Sequence, residues 1–178
     1  EIDLCAGAAE ATVIGADLPE VDVWLSITDS IGLELGDSNL VFGMPATAAW
    51  MPGERIAVMD MQKCRASIFS RDGGFITSVG RQGSGPGEFL LPSWLSVTES
   101  GGLMVSDAMA GQLDLFDSTL TYSGSMGGFF PSPPVITVPI GDTAFVGMKP
   151  DFEQNDQGMF MGYRVARWNT TGPEPEVI

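Results

Sequence analysis

Val41-Phe-Gly-Met-Pro45-Ala-Thr-Ala-Ala-Trp50-Met-Pro-Gly-Glu-Arg55-Ile-Ala-Val-Met-Asp60 is matched, 47 residues further on, by Glu88-Phe-Leu-Leu-Pro92-Ser-Trp-Leu-Ser-Val97-Thr-Glu-Ser-Gly-Gly-Leu103-Met-Val-Ser-Asp107. The shift superposes Phe42 on Phe89, Pro45 on Pro92, Trp50 on Val97, Ile56 on Leu103, Val58 on Val105 and Asp60 on Asp107. It carries on downstream without a gap: Ile68 meets Leu115, Phe69 meets Phe116, Phe75 meets Tyr122, Val79 meets Met126 and Gly80 meets Gly127. A period of this length marks a repeat architecture, in which each unit buries its apolar surface against its neighbours. A third copy follows at an offset of 41, with Val135-Ile-Thr-Val138 in the place of Trp94-Leu-Ser-Val97 and Thr143-Ala-Phe-Val146 in that of Gly102-Leu-Met-Val105. That register sets Met148 where the other copies carry Asp, and the extra residues Lys149–Gly158 read as an enlarged loop.

Within each copy the apolar runs are short, and Gly, Pro, Asp or Ser bounds them, which is the pattern of strands and tight turns. The first copy predicts strands at Ala46–Trp50, Arg55–Met59, Arg65–Phe69 and Gly74–Val79; the second at Ser93–Val97, Leu103–Ser106, Gln112–Phe116 and Thr121–Met126. Four strands in a unit of about 45 residues is the signature of a β-propeller blade. A lone four-stranded sheet exposes both faces, so blades must stack, with Phe69, Phe75, Phe116 and Tyr122 between neighbours. The expected fold is all-β: a partial β-propeller of four-stranded antiparallel blades, about three and a half of them. The blades span about 44–79, 93–126 and 135–178 in one domain over 21–178, after an acidic N-terminal segment at 1–20. Residues 21–35 read as two strands of an adjacent or closing blade.

Gly80-Arg-Gln-Gly-Ser-Gly-Pro-Gly-Glu-Phe89 with Pro92, then Leu103-Met-Val-Ser-Asp107, then Gln112-Leu-Asp-Leu-Phe-Asp117 resembles the NHL-type repeat of six-bladed β-propellers, in particular exported bacterial ones. The similarity covers residues 40–126 well and 127–169 loosely, and the third copy lacks the Gly-Pro-Gly-Glu-Phe turn. Six such repeats need roughly 280 residues, so the resemblance implies part of a longer protein or a partial propeller with open ends, whose unstacked apolar blade faces favour self-association. It also implies an extracytoplasmic setting: periplasmic, secreted or lipid-anchored.

Composition excludes several functions. The 178 residues hold 23 acids against 8 bases, a net charge of −15, and residues 1–54 carry no base at all, so neither nucleic acid nor an anionic membrane is an expected partner. The absence of His removes imidazole-based triads, proton shuttles and His-ligated zinc. No apolar run is long enough to span a membrane. Cys5 and Cys64 make neither a disulfide framework nor a four-ligand zinc site; they either pair with each other or remain two separate thiols.

The candidate binding residues are Asp60, Gly83, Gly85, Gly87, Glu88, Asp107, Asp151 and Glu153. Strands alternate in direction, so the loops after the second and fourth strands of each blade emerge together, bringing 60–63, 80–92, 107–111 and 149–158 to one end of the channel. All length variation among the copies falls in these loops, where repeat proteins place binding functions. Gly83-Ser-Gly-Pro-Gly87 lacks the Lys-Ser/Thr of a phosphate loop and reads as a turn between blades. The recurrence of Asp60 at Asp107 suggests a carboxylate that accepts N–H groups of the following turn. Asp151, Glu153 and Asn155 alternate like calcium ligands, but Asp156 and Gly162 stand where a calcium loop needs Gly and a bidentate acid. Asn169-Thr-Thr171 matches a glycosylation sequon.

Among six-bladed propellers the resemblance includes zinc lyases, which the lack of His excludes, and carboxylate-bound calcium lactonases. The expected function is therefore a non-catalytic, ligand- or protein-binding propeller with no cofactor, no metal and no catalytic residues. The alternative is a divalent-metal-dependent lactonase-like hydrolase using channel carboxylates such as Asp60 and Asp107. Ligand and partner are unassigned; the acids imply a cationic or neutral one.

Overall fold

The computed structural model describes residues 30–129, 133–155, 158–170 and 172–177. Among them every regular element is a strand, and no helix is long and apolar enough to cross a membrane. The first blade comprises β1 (Pro45–Met51), β2 (Arg55–Asp60), β3 (Arg65–Ser70) and β4 (Phe75–Val79). The second comprises β5 (Pro92–Val97), β6 (Leu103–Asp107), β7 (Gln112–Phe116) and β8 (Tyr122–Met126). The third comprises β9 (Val135–Ile140), β10 (Ala144–Asn155), β11 (Gly158–Asn169) and β12 (Gly172–Val177). Each is a four-stranded antiparallel meander, paired in chain order. The expected strands of the first two blades hold to within a residue at either end, because Gly and Pro turns punctuate them closely.

Blades stack through alternate residues. Ala57, Met59, Ala66 and Ile68 of the first blade meet Leu95, Leu103, Val105 and Phe116 of the second in one buried cluster, with Phe89 of the connecting strap. A second cluster joins Met104, Leu113 and Met126 to Phe145, Ala166 and Trp168 of the third blade, with Phe129 of the next strap. The strap aromatic meets the β3-type aromatic edge-on each time: Phe42 on Phe69 at 5.8 Å, Phe89 on Phe116 at 6.0 Å, Phe129 on Trp168 at 6.4 Å. Such geometry adds about 0.5–1.5 kcal/mol per pair beyond simple burial. Gly80 turns the chain into the second strap at φ +82°, and a Cβ there would come 2.1 Å from the Phe89 ring.

Three expectations need correction. The third copy runs one residue later than its sequence alignment: the pair Val97–Leu103 that closes the β5–β6 hairpin corresponds to Pro139–Phe145, an offset of 42. A one-residue slip exchanges the two faces of a strand, so Phe145 and Thr137 face the second blade, Thr137 bonding Ser96 at 2.8 Å. The register also puts Lys149, not Met148, at the place of Asp107. The enlarged loop at 149–158 is instead a continuation of β10 and β11, paired from Lys149–Arg164 out to Asn155–Gly158. Finally, Ile31–Leu35 forms no strand but coil and a bend, with Leu33 N–H on the Leu40 carbonyl; the companion segment 21–29 and all of 1–20, Cys5 included, lie outside the described residues. Cys64 is a buried free thiol.

Because Phe89 is fully buried between two blades and the strap, Phe89→Ala is expected to cost about 3–5 kcal/mol, read as a lower urea midpoint at unchanged strand content by circular dichroism.

Candidate functional site

The pairings Pro45–Asp60 and Pro92–Asp107 put the ends of β2 and β6, the starts of β1 and β5, and the straps that lead into them at one end of the blades. There the two repeated carboxylates make the same three bonds. Asp60 accepts N–H groups from Gly43 (2.7 Å), Met44 (3.0 Å) and Lys63 (3.1 Å). Asp107 accepts them from Leu90 (2.6 Å), Leu91 (3.0 Å) and Ala110 (3.0 Å). Every donor in one set lies 47 residues from its counterpart. Lys63 and Ala110 belong to the following turn, as the sequence suggests; the other four lie in the incoming strap, which the sequence does not reveal. Both residues are almost wholly buried, and their oxygens are aimed at backbone. Burial alone would raise the Asp60 pKa, but its three N–H donors, with the Lys63 charge, hold it below the usual carboxylate range.

Glu88 does for the Gly-rich loop what the aspartates do for the turns. Its Oε2 accepts the Gly85 N–H at 2.9 Å, and Oε1 pairs with the Arg81 guanidinium at 2.6 Å. The Gly85 N–H and the Arg81 bond together hold its carboxyl below the usual range. A Cβ on Gly83 would lie 2.0 Å from Glu88 Oε2 and one on Gly85 3.1 Å, while Gly87 takes φ +71° against Tyr122. The loop thus wraps an anion that belongs to the chain itself. Asp151 and Glu153 are carried on β10, paired with Gly162 and Phe160, in the part of the hairpin that runs past β9 at this same end. The structure therefore brings Asp60 and Asp107, with the strap N–H groups they bond, to one end, where the β10–β11 hairpin also projects, while Gly83 and Gly85 close around Glu88 and Gly87 packs on Tyr122 at the start of β8, the opposite end of that strand from the aspartates. Among the described residues no group of three His, Cys, Asp or Glu side chains could hold a metal ion.

Residues 20–125 match the sequence profile of a six-bladed β-propeller family. The chain belongs to that family. Its fold is similar to that of a protein of Bacteroides fragilis NCTC 9343 described as exported (TM-score 0.60, 15% identity), over 77% of this chain and 38% of that one. It is also similar to hydrazine synthase of Kuenenia stuttgartiensis (TM-score 0.55, 15% identity), over 78% of this chain and 38% of that one. The chain thus spans about two-fifths of the length of either, and at this identity the likeness concerns the fold alone. No curated protein matches the sequence.

Two further features of this propeller are not evident from its motifs. Asp114, in the middle of β7, is fully buried; Gln112 Nε2 donates to its Oδ1 at 2.9 Å and its Oδ2 has no partner. Burial pushes its pKa up to about 6, against the Gln112 bond and reinforced by the Asp107 charge. The only sequence signal is a carboxylate at the position of Ser67 in the first blade, which alternation assigns to the face turned toward the preceding blade. Close to the same interface, the Cys64 thiol points at the Met61 and Leu90 carbonyls, and burial, then Asp107 and Asp60, raise its pKa. The other feature is a groove of about 720 Å³ on the outer face of the first blade, lined by Phe42, Ala48, Trp50, Ile56 and Val58.

Asp107→Ala removes three charge-assisted bonds and strands buried N–H groups, so a loss of at least about 3 kcal/mol is expected in chemical denaturation. Asp114 gives the opposite sign. A carboxyl with a folded pKa near 6 and an unfolded one near 3.9 binds more protons when folded, so its contribution falls as pH rises from about 4 to 6. Asp114→Asn is expected to raise stability at pH 7 by about 1–3 kcal/mol and to change it little at pH 4, measured as paired urea midpoints.

Proposed function

We propose that the chain is a non-catalytic, ligand- or protein-binding β-propeller that works outside the cytoplasm, and that its ligand meets the end built from 60–63, 80–92, 107–111 and the β10–β11 hairpin. The observation that carries this reading is where the acids point. Asp60, Asp107 and Glu88 spend their oxygens on N–H groups of their own straps and turns, or on Arg81. They shape the loops, and a carboxylate whose oxygens already hold two or three donors of its own chain is poorly placed for general base work or for gripping a cation. What varies between blades at this end is loop length and the hairpin, the pattern of a scaffold that displays different surfaces. The NHL-type resemblance of Gly80–Phe89 and the likeness to an exported bacterial propeller support the extracytoplasmic assignment. The net charge of −15 favours a cationic or neutral ligand.

A metal-dependent lactonase-like hydrolase makes the contrary prediction. Calorimetric titration with Ca²⁺, Mg²⁺ and Zn²⁺ in turn is expected to show no micromolar site, and an aryl lactone with Ca²⁺ present should hydrolyse at the buffer rate. Micromolar Ca²⁺ affinity accompanied by lactone turnover would reverse the assignment.

A further inference from the structure

The first two blades fasten their incoming straps in the same way, and the third cannot. In the 42-residue register that relates the β9–β10 hairpin to β5–β6, Lys149 stands at the place of Asp107, Pro133 at that of Leu91 and Pro150 at that of Ala108. Leu91 donates a strap N–H to Asp107, and the Ala108 N–H returns to the Leu91 carbonyl at 3.0 Å, as that of Met61 does to Met44 at 2.9 Å in the first blade. Proline has no N–H to give. The third copy has thus lost the acceptor, a strap donor and the return bond together, and β10 runs on to Asn155 where the other blades turn and supply the last donor. What it has gained lies on the blade before it. Ser106, fully buried, donates its hydroxyl to the Pro134 carbonyl at 2.6 Å; its counterpart in the first blade is Met59, a thioether inside the apolar cluster. Ser96 and Thr137, both buried, form a hydrogen bond of 2.8 Å where the first interface has Ala49 and Leu95. Among the described residues no side chain of β9 joins the apolar cluster between the second and third blades, whereas β5 gives Leu95 to the first such cluster. Ile136, Val138 and Ile140 are exposed, and Pro139 can donate no ladder bond.

We propose that Pro133–Ile140, the end of the third strap together with β9, is a flap latched to the second blade by two hydroxyl bonds, Ser106 to Pro134 and Ser96 with Thr137, and that it opens while the first two blades stay closed. The clamp at Asp60 or Asp107 uses three bonds to an ionised acceptor, each roughly twice as strong as a bond between neutral groups. It also ties a strap to its own sheet, so it yields when that sheet comes apart. A hydroxyl bond across two blades yields when one strand moves, with both outer sheets intact. Local opening in folded proteins follows such weakly packed units. The position gives the latch a consequence. Pro134 leads directly into β9, and β9 pairs with the base of β10, the strand that continues as the projecting hairpin. Opening frees the base of that hairpin on one side while the straps at Asp60 and Asp107 hold. The inference concerns bonds between described residues and holds whatever covers the outer face of the third blade. It is independent of the ligand proposed above.

Hydrogen–deuterium exchange read by mass spectrometry at neutral pH tests the latch by comparing variants with the parent chain. In Ser106→Ala, exchange over 133–148 should rise about tenfold while that of β2 and β3 changes less than about twofold, at an unchanged circular dichroism spectrum. Thr137→Val keeps the shape of its side chain, removes the second bond and should act on the same segment, so either variant reads the proposal by itself. Lys149→Asp should leave exchange over 133–148 as it is, because Pro133 and Pro150 bring no N–H to a carboxylate at that position. Unchanged exchange in both hydroxyl variants would overturn the proposal. An equal rise in all three blades would overturn it too, since the bonds would then belong to the global fold and not to a flap. So would slower exchange in Lys149→Asp, which would mean that the third strap can be clamped like the others.

Discussion

In the first two blades a buried carboxylate at the end of the second strand fixes how the incoming strap joins the sheet. The strap between blades must leave the outer strand of one sheet, cross to the channel side and enter the next sheet in register, yet it has no ladder of its own to satisfy its N–H groups. Asp60 and Asp107 supply the missing acceptors: two strap N–H groups and one turn N–H converge on each. A neutral acceptor could not serve three donors as well, and an ionised one is roughly twice as strong per bond. The strap aromatic then falls onto the β3-type ring, so a polar clamp and an apolar wedge locate the same few residues. The turn beyond the clamp is held open by a left-handed residue, Gly111 at φ +66° in the second blade and Cys64 at φ +49° in the first. Cys64 accepts that conformation because the thiol is buried against the carbonyl of the next strap.

Electrostatically the two kinds of buried acid work against each other. Asp60 is held ionised by its donors, so what it contributes is present at neutral pH and fades as pH drops through its depressed pKa. Asp114 has one bond and one bare oxygen in a dry interface, and its contribution fades in the other direction. The difference comes from backbone supply. The end of a second strand offers three N–H groups, while the middle of a third strand has every N–H already committed to its ladder.

The sequence makes the first two blades legible almost to the residue, because an ungapped 47-residue period, paired Gly/Pro turns and strand-length apolar runs all agree. It misses the third in a specific way. Its strand β9 reads Val135-Ile-Thr-Val-Pro-Ile140, apolar on both faces, so alternation cannot say which face looks inward, and an alignment one residue early scores as well as the right one. Ile136, at φ +53° beside the register shift, takes up the difference. The hairpin extension fails for another reason. Lys149–Asn155 is polar and carries no strand pattern; only its pairing with the more apolar Gly158–Asn169 run makes it a strand. At the candidate site, recurrence exposes the aspartates and the Gly-rich turn, and the turn donors follow from local chemistry. The strap donors do not, since they lie 16 or 17 residues away.

These bonds also constrain what the loop end can be. In the Gly-rich loop two glycines, Gly83 and Gly85, make room for a carboxylate that the loop itself provides; a phosphate arriving there would find the position occupied and the nearest cation already paired. At the aspartates an incoming cation would compete with three N–H bonds whose loss detaches the strap. Chemistry that needs a free acid is therefore disfavoured at the repeated acids of this chain, and under the binding reading proposed above the contacts fall to side chains that the clamped backbone displays. The element best placed for that is the one that breaks the repeat. β10 and β11 run on as a two-stranded hairpin beyond the last β9 pairing, at the same end as both straps. A repeat keeps constant what stacking requires, so a departure confined to one blade and one end carries no stacking duty.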